Sequence, residues 1–345
     1  MMITLFRKTM AFLCAFIACS TLVSCDGWIY QDEGDCDPHF KVKFRYDYHL
    51  KGGNAFPNEV NAVTLYIIDP ETGNVVWRKT ENSDSLKNED YVMDIEGLAP
   101  GNYKLMAWAG DGHRGSEHFT LADTGNDHTE FRCTLNREHA ADGTAQVSAP
   151  LHRLYKDLPQ EFSVREFPDR QGTHVHTVRL MKNTNHITVV LQHLSGEPVD
   201  PKAFTYTITD NNGIMDYDNS LIDDETISYT PNIYRTGISA GFVPENMAQA
   251  QFSAAIVEFD VARMMADHKM YLTINRVSDG GLVAKVPVID YALMVKGNYG
   301  TMPDQEYLDR QDQYSMVFFI DEGLRWINTM IYINSWMIVP NITDL

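Results

Sequence analysis

Short segments in which apolar and polar residues alternate fill most of this chain after residue 40, and they constrain its fold more than any other feature. Alternation with a period of two places one set of side chains on each face of an extended strand. Segments 40–46 and 104–109 show this pattern, and residues that favour turns separate them from their neighbours. We predict an all-β fold, because no strand–helix–strand alternation of useful length appears.

The strands fall into two blocks, and residues 168–172 are the predicted linker between them. The first block is residues 40–167 and the second is residues 173–345. Each block is long enough for a core of its own, since domains of about 150 residues are common. We predict one β-sandwich in each block, preceded by an acidic tether at residues 25–39.

Turn residues and apolar runs predict several details inside the blocks. Pro100 and Gly101 predict a turn in which glycine supplies a positive φ. Residues 174–180 and 186–191 are the predicted opening strands of the second block, and residues 330–339 form its predicted last strand. Helix is predicted only for three short segments: 261–267, 290–295 and 304–310.

The first 25 residues have the layout of a bacterial lipoprotein signal. Two basic residues precede an apolar stretch, and the segment 22–25 (Leu-Val-Ser-Cys) has the form of a lipoprotein cleavage box. Residues 10–23 are too few to cross a bilayer, which takes about 20 apolar residues. We predict removal of residues 1–24 and lipidation of Cys25. An ordinary secretory signal is the alternative.

The acidic composition limits the partners of the chain. It has 28 basic and 47 acidic residues, a formal net charge of −19, and loss of residues 1–24 with their two basic side chains makes this −21. A chain this acidic repels phosphate backbones, so nucleic acid is not an expected partner. No cofactor and no small-molecule substrate is expected.

Two cysteines, Cys36 and Cys133, remain after removal of the signal and lipidation of Cys25. An exported chain enters an oxidising compartment, where these two could form a disulfide that closes a long loop. Two separate thiols fit the sequence equally well, because the sequence does not show the distance between them.

One segment matches a catalytic motif. Residues 237–241 (Gly-Ile-Ser-Ala-Gly) have the pattern of the nucleophile elbow of serine hydrolases, with Ser239 as the nucleophile. The elbow needs a strand before the serine and a helix directly after it, and Pro231 and Pro244 disrupt both. A loop of small residues is the better interpretation.

Histidine and acidic clusters offer metal ligands in incomplete sets. His174 and His176 share one face of a predicted strand, and a zinc site there needs further ligands, for which His186 is the nearby candidate. The acidic segments 216–219 and 223–225 lack the glycine and the terminal glutamate of an EF-hand. We predict solvated side chains in both places and no metal site.

Four sequence features occur together along the chain. They are the cleavage box with its acidic tether; residues 63–69 (Val-Thr-Leu-Tyr-Ile-Ile-Asp) with Gly73; residues 97–103 (Gly-Leu-Ala-Pro-Gly-Asn-Tyr) followed by 107–109 (Ala-Trp-Ala); and the strand pair at 178–190 with a final strand containing Trp336. In this combination the chain resembles the fimbrial anchor family of Bacteroidales type V pili, also called minor fimbrial subunits.

The resemblance implies two tandem transthyretin-like β-sandwich domains, lipid-anchored on the surface of the outer membrane, that anchor a fimbria or form a minor subunit of it. It implies fimbrial pilin subunits as partners, assembly by β-strand addition, and no enzymatic activity. The resemblance also implies that proteolysis after a basic residue removes the first strand of the polymerising subunits in this system. No Lys or Arg lies between Cys25 and Phe40, so the lipid and the first strand are expected to stay attached.

An anchor that keeps its own first strand cannot accept a strand, and so it is expected to donate one. The candidate donor residues lie in the terminal strand: Ile331, Tyr332, Ile333, Trp336 and Ile338. The alternative is that they form the last core strand. A glycan-binding surface lipoprotein is the alternative function, and exposed aromatic residues clustered on one face would favour it.

Overall fold

The computed structural model describes residues 37–111, 118–193, 195–240, 251–333 and 336–338. Within these residues the chain forms 24 strands and three α-helices, so the predicted all-β class is confirmed.

The strands are numbered in chain order. The first twelve are β1 (Pro38–Arg45), β2 (Ala62–Ile68), β3 (Val75–Glu81), β4 (Met93–Ile95), β5 (Gly101–Gly110), β6 (Phe119–Ala122), β7 (Arg132–Leu135), β8 (Glu138–His139), β9 (Ala145–Val147), β10 (Leu154–Asp157), β11 (Val164–Phe167) and β12 (Gly172–Lys182). The others are β13 (Thr184–His193), β14 (Phe204–Asp210), β15 (Ile214–Asp216), β16 (Leu221–Ile222), β17 (Ile227–Tyr229), β18 (Ile233–Ala240), β19 (Gln251–Ala262), β20 (Tyr271–Arg276), β21 (Leu282–Pro287), β22 (Gln313–Ile320), β23 (Trp326–Ile333) and β24 (Trp336–Ile338).

The helices are short. The α-helices are α1 (Phe56–Glu59), α2 (Val288–Met294) and α3 (Asp304–Arg310), and single 3₁₀ turns lie at Asp84–Lys87, His128–Glu130, Pro159–Glu161, Pro201–Ala203 and Gly297–Tyr299. Among the described residues, no helix has the length and apolar character needed to span a bilayer.

Four sheets contain these strands. Sheet 1 has the order β3-β2-β5-β10-β12-β1-β4, with β11 also paired to β5. Sheet 2 has the order β18-β19-β13-β22-β23-β24, and sheet 3 the order β21-β20-β14-β17-β9-β8. Sheet 4 has the order β16-β15-β7-β6.

Strand pairing crosses the predicted boundary between residues 167 and 173. The strand β12 does not open a second block but lies in sheet 1, where it pairs with β10 and β1. Conversely, β7 and β9 from the predicted first block pair with β15 and β17 from the second. The alternating pattern identifies a strand but not its partner, which is why it missed these long-range pairings. The number of domains stays a prediction.

The central part of sheet 1, formed by β2 and the second half of β5, is buried on both faces, and this explains the apolar run in β2. Val63, Leu65 and Ile67 belong to a smaller core, whereas Tyr66 and Ile68 belong to a larger core that includes residues of the other three sheets. Every residue of β2 is buried, as is typical of a strand covered on both sides. Sheet 1 is therefore the common wall of two cores.

The chain bends before β5, but the predicted role of Gly101 in that bend is wrong. The positive φ of 72° belongs to Gly97 and not to Gly101. A Cβ atom on Gly101 would lie only 3.2 Å from the ring of Tyr103. The Tyr103 hydroxyl donates a hydrogen bond of 3.1 Å to the carbonyl oxygen of Ala99. Gly101 thus provides space for the tyrosine that closes the bend.

Two of the three predicted helices are present, as α2 and α3. The third prediction, for residues 261–267, is wrong, because β19 continues through Ala262. Val261 is fully buried in the larger core and pairs with Asn185 of β13. Pairing and burial in the sheet outweigh a weak helical pattern at this position.

An ion-paired histidine makes the stability of sheet 2 depend on pH. The Nδ1 atom of His186 lies 2.9 Å from Oδ1 of Asp260, and its Nε2 atom lies 3.6 Å from Oε2 of Glu258. The hydrogen bond to Asp260 raises the pKa of His186 above its ordinary value, although partial burial opposes this. The folded state therefore binds the proton more tightly than the unfolded state.

The stabilisation that protonated His186 provides is complete below the pKa of about 6.5 that histidine has in the unfolded chain. It is lost as the pH rises through the higher pKa of His186 in the folded state. We expect His186→Gln to flatten the fall in the free energy of unfolding between about pH 6 and pH 9, measured by urea denaturation. His174→Gln, at a ring that contacts the carbonyl oxygen of Arg170, is the control and should keep the slope. An unchanged slope in His186→Gln contradicts the assignment.

Candidate functional site

The two ends of the chain hold the candidate functional residues. Cys25 and Cys36 lie outside the described residues, so lipidation of Cys25 and the Cys36–Cys133 disulfide stay predictions. Cys133 lies in β7 with 1% of its surface exposed. For an unbonded thiol at this position, burial raises the pKa to about 12.

The N-terminal strand β1 lies inside sheet 1 and is held on both edges. It begins at Pro38, two residues before the predicted start, and pairs in parallel with β12 along all eight of its residues. On the other edge it pairs with β4. Phe40, Val42 and Phe44 are buried in the smaller core, which contributes about 1.5–3 kcal/mol for each side chain. The chain that follows the tether therefore enters the interior of a sheet.

The terminal segment 330–339 is not the single strand that we predicted. The strands β23 and β24 form an antiparallel pair, with Ile331 opposite Ile338 and Ile333 opposite Trp336. All five candidate donor residues lie in this pair, and Tyr332 is opposite Met337. Asn334 and Ser335, both residues that favour turns, are the sequence signal that was missed.

The terminal pair lies at one side of sheet 2. The strand β23 also pairs with β22, whereas β24 is the last strand in the order of the sheet. Among the described strands, none pairs with the outer edge of β24. An edge of this kind presents backbone N–H and C=O groups that can pair with a strand from another chain.

The backbone around Ser239 does not fit a nucleophile elbow. Ser239 lies in β18, where it pairs with Phe252 of β19, and the ladder continues to Ala240. An elbow places its serine on a sharp turn between a strand and a helix. Gly241 lies outside the described residues. The backbone thus does not fit an elbow, and the predicted loop of small residues is wrong for residues 237–240, which belong to β18 and pair with β19.

Arginine side chains bind the acidic segments that we predicted to be solvated. Arg137 contacts Asp224 at 2.6 Å and Glu225 at 2.8 Å, and only 8% of the Asp224 side chain is exposed. Arg132 contacts Asp216 at 2.6 Å. The prediction of solvated carboxylates is wrong for Asp216 and Asp224, because strand pairing brings β7 beside them. Glu225 contacts Arg137 but remains exposed to solvent, as predicted.

The histidines of the predicted strand make other contacts. Nε2 of His174 lies 3.0 Å from the carbonyl oxygen of Arg170, and the ring of His176 packs 4.3 Å from that of Phe167. His186 instead binds carboxylates in sheet 2. Within the described residues, no group of three or more His, Cys, Asp or Glu side chains is arranged to hold a metal ion.

A polar network that sequence reasoning missed joins sheet 1 to the start of β22. Asp312 accepts hydrogen bonds from Lys182 at 2.9 Å and from Lys51 at 3.0 Å. Glu59 lies 3.7 Å from Lys182 and accepts a hydrogen bond of 2.6 Å from the Tyr155 hydroxyl. Burial alone would raise the pKa of Asp312, but the two lysines lower it below its ordinary value. The carboxylate is thus charged and holds distant segments together.

We expect Asp312→Asn to destabilise the protein by about 1.5–3 kcal/mol, because it removes charged hydrogen bonds and leaves the partly buried Lys182 without its nearest acceptor. Thermal and urea denaturation measure the loss. Asp94→Asn, which removes an exposed ion pair with Lys41, is the matched control and should cost about 0–1 kcal/mol. Equal losses in the two variants contradict a special role for Asp312.

A cleft of about 420 Å³ lies at the carboxyl ends of the parallel strands β13 and β22. Its polar lining includes His193, Asp321, Glu322 and Arg325, and the last pairs with Asp321. None of the described residues that line it is Phe, Tyr or Trp, the side chains on which a sugar would stack.

Comparison with known proteins identifies related sequences and folds. The sequence model of the family described as "Fimbrillin-A associated anchor proteins Mfa1 and Mfa2" matches residues 32–341. None of the curated proteins compared with the chain matches it.

Three solved structures show the extent of the similarity. An adhesin candidate from Bacteroides thetaiotaomicron VPI-5482 is 33% identical with a TM-score of 0.77, covering 90% of this chain and 100% of the other. A candidate polysaccharide-binding protein from the same organism is 26% identical with a TM-score of 0.73 and the same coverage. The fimbrial anchor protein Mfa2 from Porphyromonas gingivalis shares the fold at 14% identity, with a TM-score of 0.62 and coverage of 89% and 100%.

Proposed function

Because this chain belongs to the family of fimbrillin-A associated anchor proteins, we propose that it is a non-enzymatic, lipid-anchored protein of the outer-membrane surface that anchors a type V fimbria or serves as its minor subunit. The observation that carries the proposal is the position of β1 inside sheet 1, between β12 and β4. A strand in that position cannot be vacated without opening the smaller core.

The composition of the tether supports this role. Between Cys25 and Phe40 the sequence contains no Lys or Arg. A protease specific for basic residues therefore has no site between the lipid and β1. An anchor needs this continuity, because a cut in the tether would release the folded protein from the membrane. Two or more acyl chains on Cys25 make such an attachment durable.

We expect Cys25→Ala to release the fimbriae from the cells into the medium, because the protein then has no lipid. The measurement compares fimbrial protein in cell-free medium with that on washed cells. Cys36→Ala removes a nearby cysteine and is the matched control, in which fimbriae should stay on the cells. Fimbriae that remain on Cys25→Ala cells contradict lipid anchoring.

The terminal pair is the proposed site of contact with pilin. We infer that β24 donates the strand with which a pilin strand pairs, since no described strand occupies its outer edge. Main-chain hydrogen bonds supply affinity in such β-strand addition, and alternating side chains supply specificity. The core-strand alternative suits β23, which has partners on both edges.

Two single prolines in β24 test this contact. The N–H groups of successive residues in a strand point to opposite edges, so Met337→Pro and Ile338→Pro remove one outward and one inward donor. We expect the variant that loses the outward N–H group to bind purified pilin about tenfold more weakly, with no decrease in its melting temperature. The variant that loses the inward N–H group also loses a hydrogen bond to β23, and it is the internal control. Unchanged pilin binding in both variants contradicts the proposal.

A second candidate function is polysaccharide binding, which is favoured by the description of one similar structure. Exposed aromatic rings on one face would support it. Tyr234 and Tyr299 are the exposed tyrosines among the described residues, at 43% and 40%, and they lie on different elements. Binding of the purified chain to a polysaccharide panel would distinguish this role from anchoring.

A further inference from the structure

The direction of β1 relative to β12 determines how the fold responds to a pull on the tether. The two strands are parallel, with Pro38 opposite Gly172 and Arg45 opposite Arg179. A pull on the tether draws β1 toward its amino end. The neighbouring strand is held from its carboxyl end, where β12 continues through the single residue Asn183 into β13. The two strands are thus pulled in opposite directions along their common axis.

We propose that the β1–β12 pair is a mechanical clamp that transmits tension from the tether into both cores. The source of the tension rests on the proposed anchoring function, whereas the clamp is a property of the fold. When paired strands are pulled along their axes, all hydrogen bonds of the ladder must yield together. When a pair is pulled apart from one end, the bonds break one after another. The first geometry has the higher barrier, and forced unfolding is governed by that barrier.

Side chains of β1 lock the register of the clamp. Phe40 packs edge-on against Phe167 at 5.1 Å, and Phe44 stacks on Phe56 at 5.6 Å. A shift of one residue would turn the buried side chains of β1 to the outer face and bring Lys43 into the core. Sliding therefore requires the smaller core to open while the ladder breaks.

The carboxyl end of β12, through which the tension passes, is also held in place. Asn183 is fully buried, and its backbone N–H donates a hydrogen bond of 2.7 Å to the carbonyl oxygen of Leu154. Its side chain donates a bond of 2.6 Å to Asn219. The following strand, β13, lies between β19 and β22 in sheet 2. Tension that passes along β12 is therefore distributed over the larger core.

A removable crosslink across the clamp provides the test. Lys43 and Thr177 are opposite each other on the outer face of β1 and β12. The strand spacing of about 4.8 Å lies within the Cα separation of a disulfide. The double variant Lys43→Cys and Thr177→Cys is made in the full mature chain with Cys25→Ala and Cys36→Ala. Optical tweezers hold the chain by its two termini at constant force.

We expect the oxidised protein to stay folded at least about ten times longer than the same protein after reduction, because the crosslink prevents the rate-limiting slip. The matched control is Thr64→Cys with Thr80→Cys, which joins β2 to β3 where the two hydroxyls are 2.8 Å apart. This crosslink lies away from the clamp, and its oxidation should leave the lifetime unchanged.

The clamp is overturned if oxidation of the Lys43→Cys and Thr177→Cys protein does not lengthen its lifetime. It is also overturned if the control crosslink lengthens the lifetime as much. Since these measurements use purified protein without lipid, they do not depend on the fate of fimbriae on Cys25→Ala cells. A failure of anchoring and a failure of the clamp are therefore distinguishable.

Discussion

Burial of the centre of sheet 1 on both faces, at β2 and β5, is the constraint on which the rest of the structure depends. In β5, Leu105 and Ala107 belong to the smaller core, whereas Met106 and Trp108 belong to the larger one. Neither core is complete without this strand, so the two are coupled through the backbone they share. Because of this coupling, the N-terminal strand β1 and the strands that follow it pack together through connected cores.

The shared wall also contains a buried ion pair. Lys156 of β10 is almost fully buried beneath the Trp108 ring and contacts the Asp157 carboxylate. Burial lowers the pKa of Lys156, and Asp157 opposes this shift. Asp157 also accepts a hydrogen bond of 2.7 Å from the backbone N–H of Ala107. Such a pair contributes little net stability, but removal of one partner would leave an uncompensated charge in the core.

Alternation and turn residues were sufficient to predict the all-β class, and two of the three predicted helical segments correspond to α2 and α3. They failed where the outcome depends on distant partners. Nothing local in residues 174–180 indicates that this strand pairs with β1, and the lysines that bind Asp312 are 130 and 261 residues away from it. The terminal pair was missed for a different reason: an apolar run surrounds Asn334 and Ser335, two residue types that favour turns.

The pairing of β1 with β12 joins segments roughly 130 residues apart in sequence, and such non-local contacts slow folding because a long loop must close first. During synthesis β12, the parallel partner of β1, is the last strand of sheet 1 to emerge. A chain with this topology remains unfolded for longer than one built from local hairpins. If the chain is exported, as the proposed function requires, this delay keeps it unfolded while it crosses the membrane.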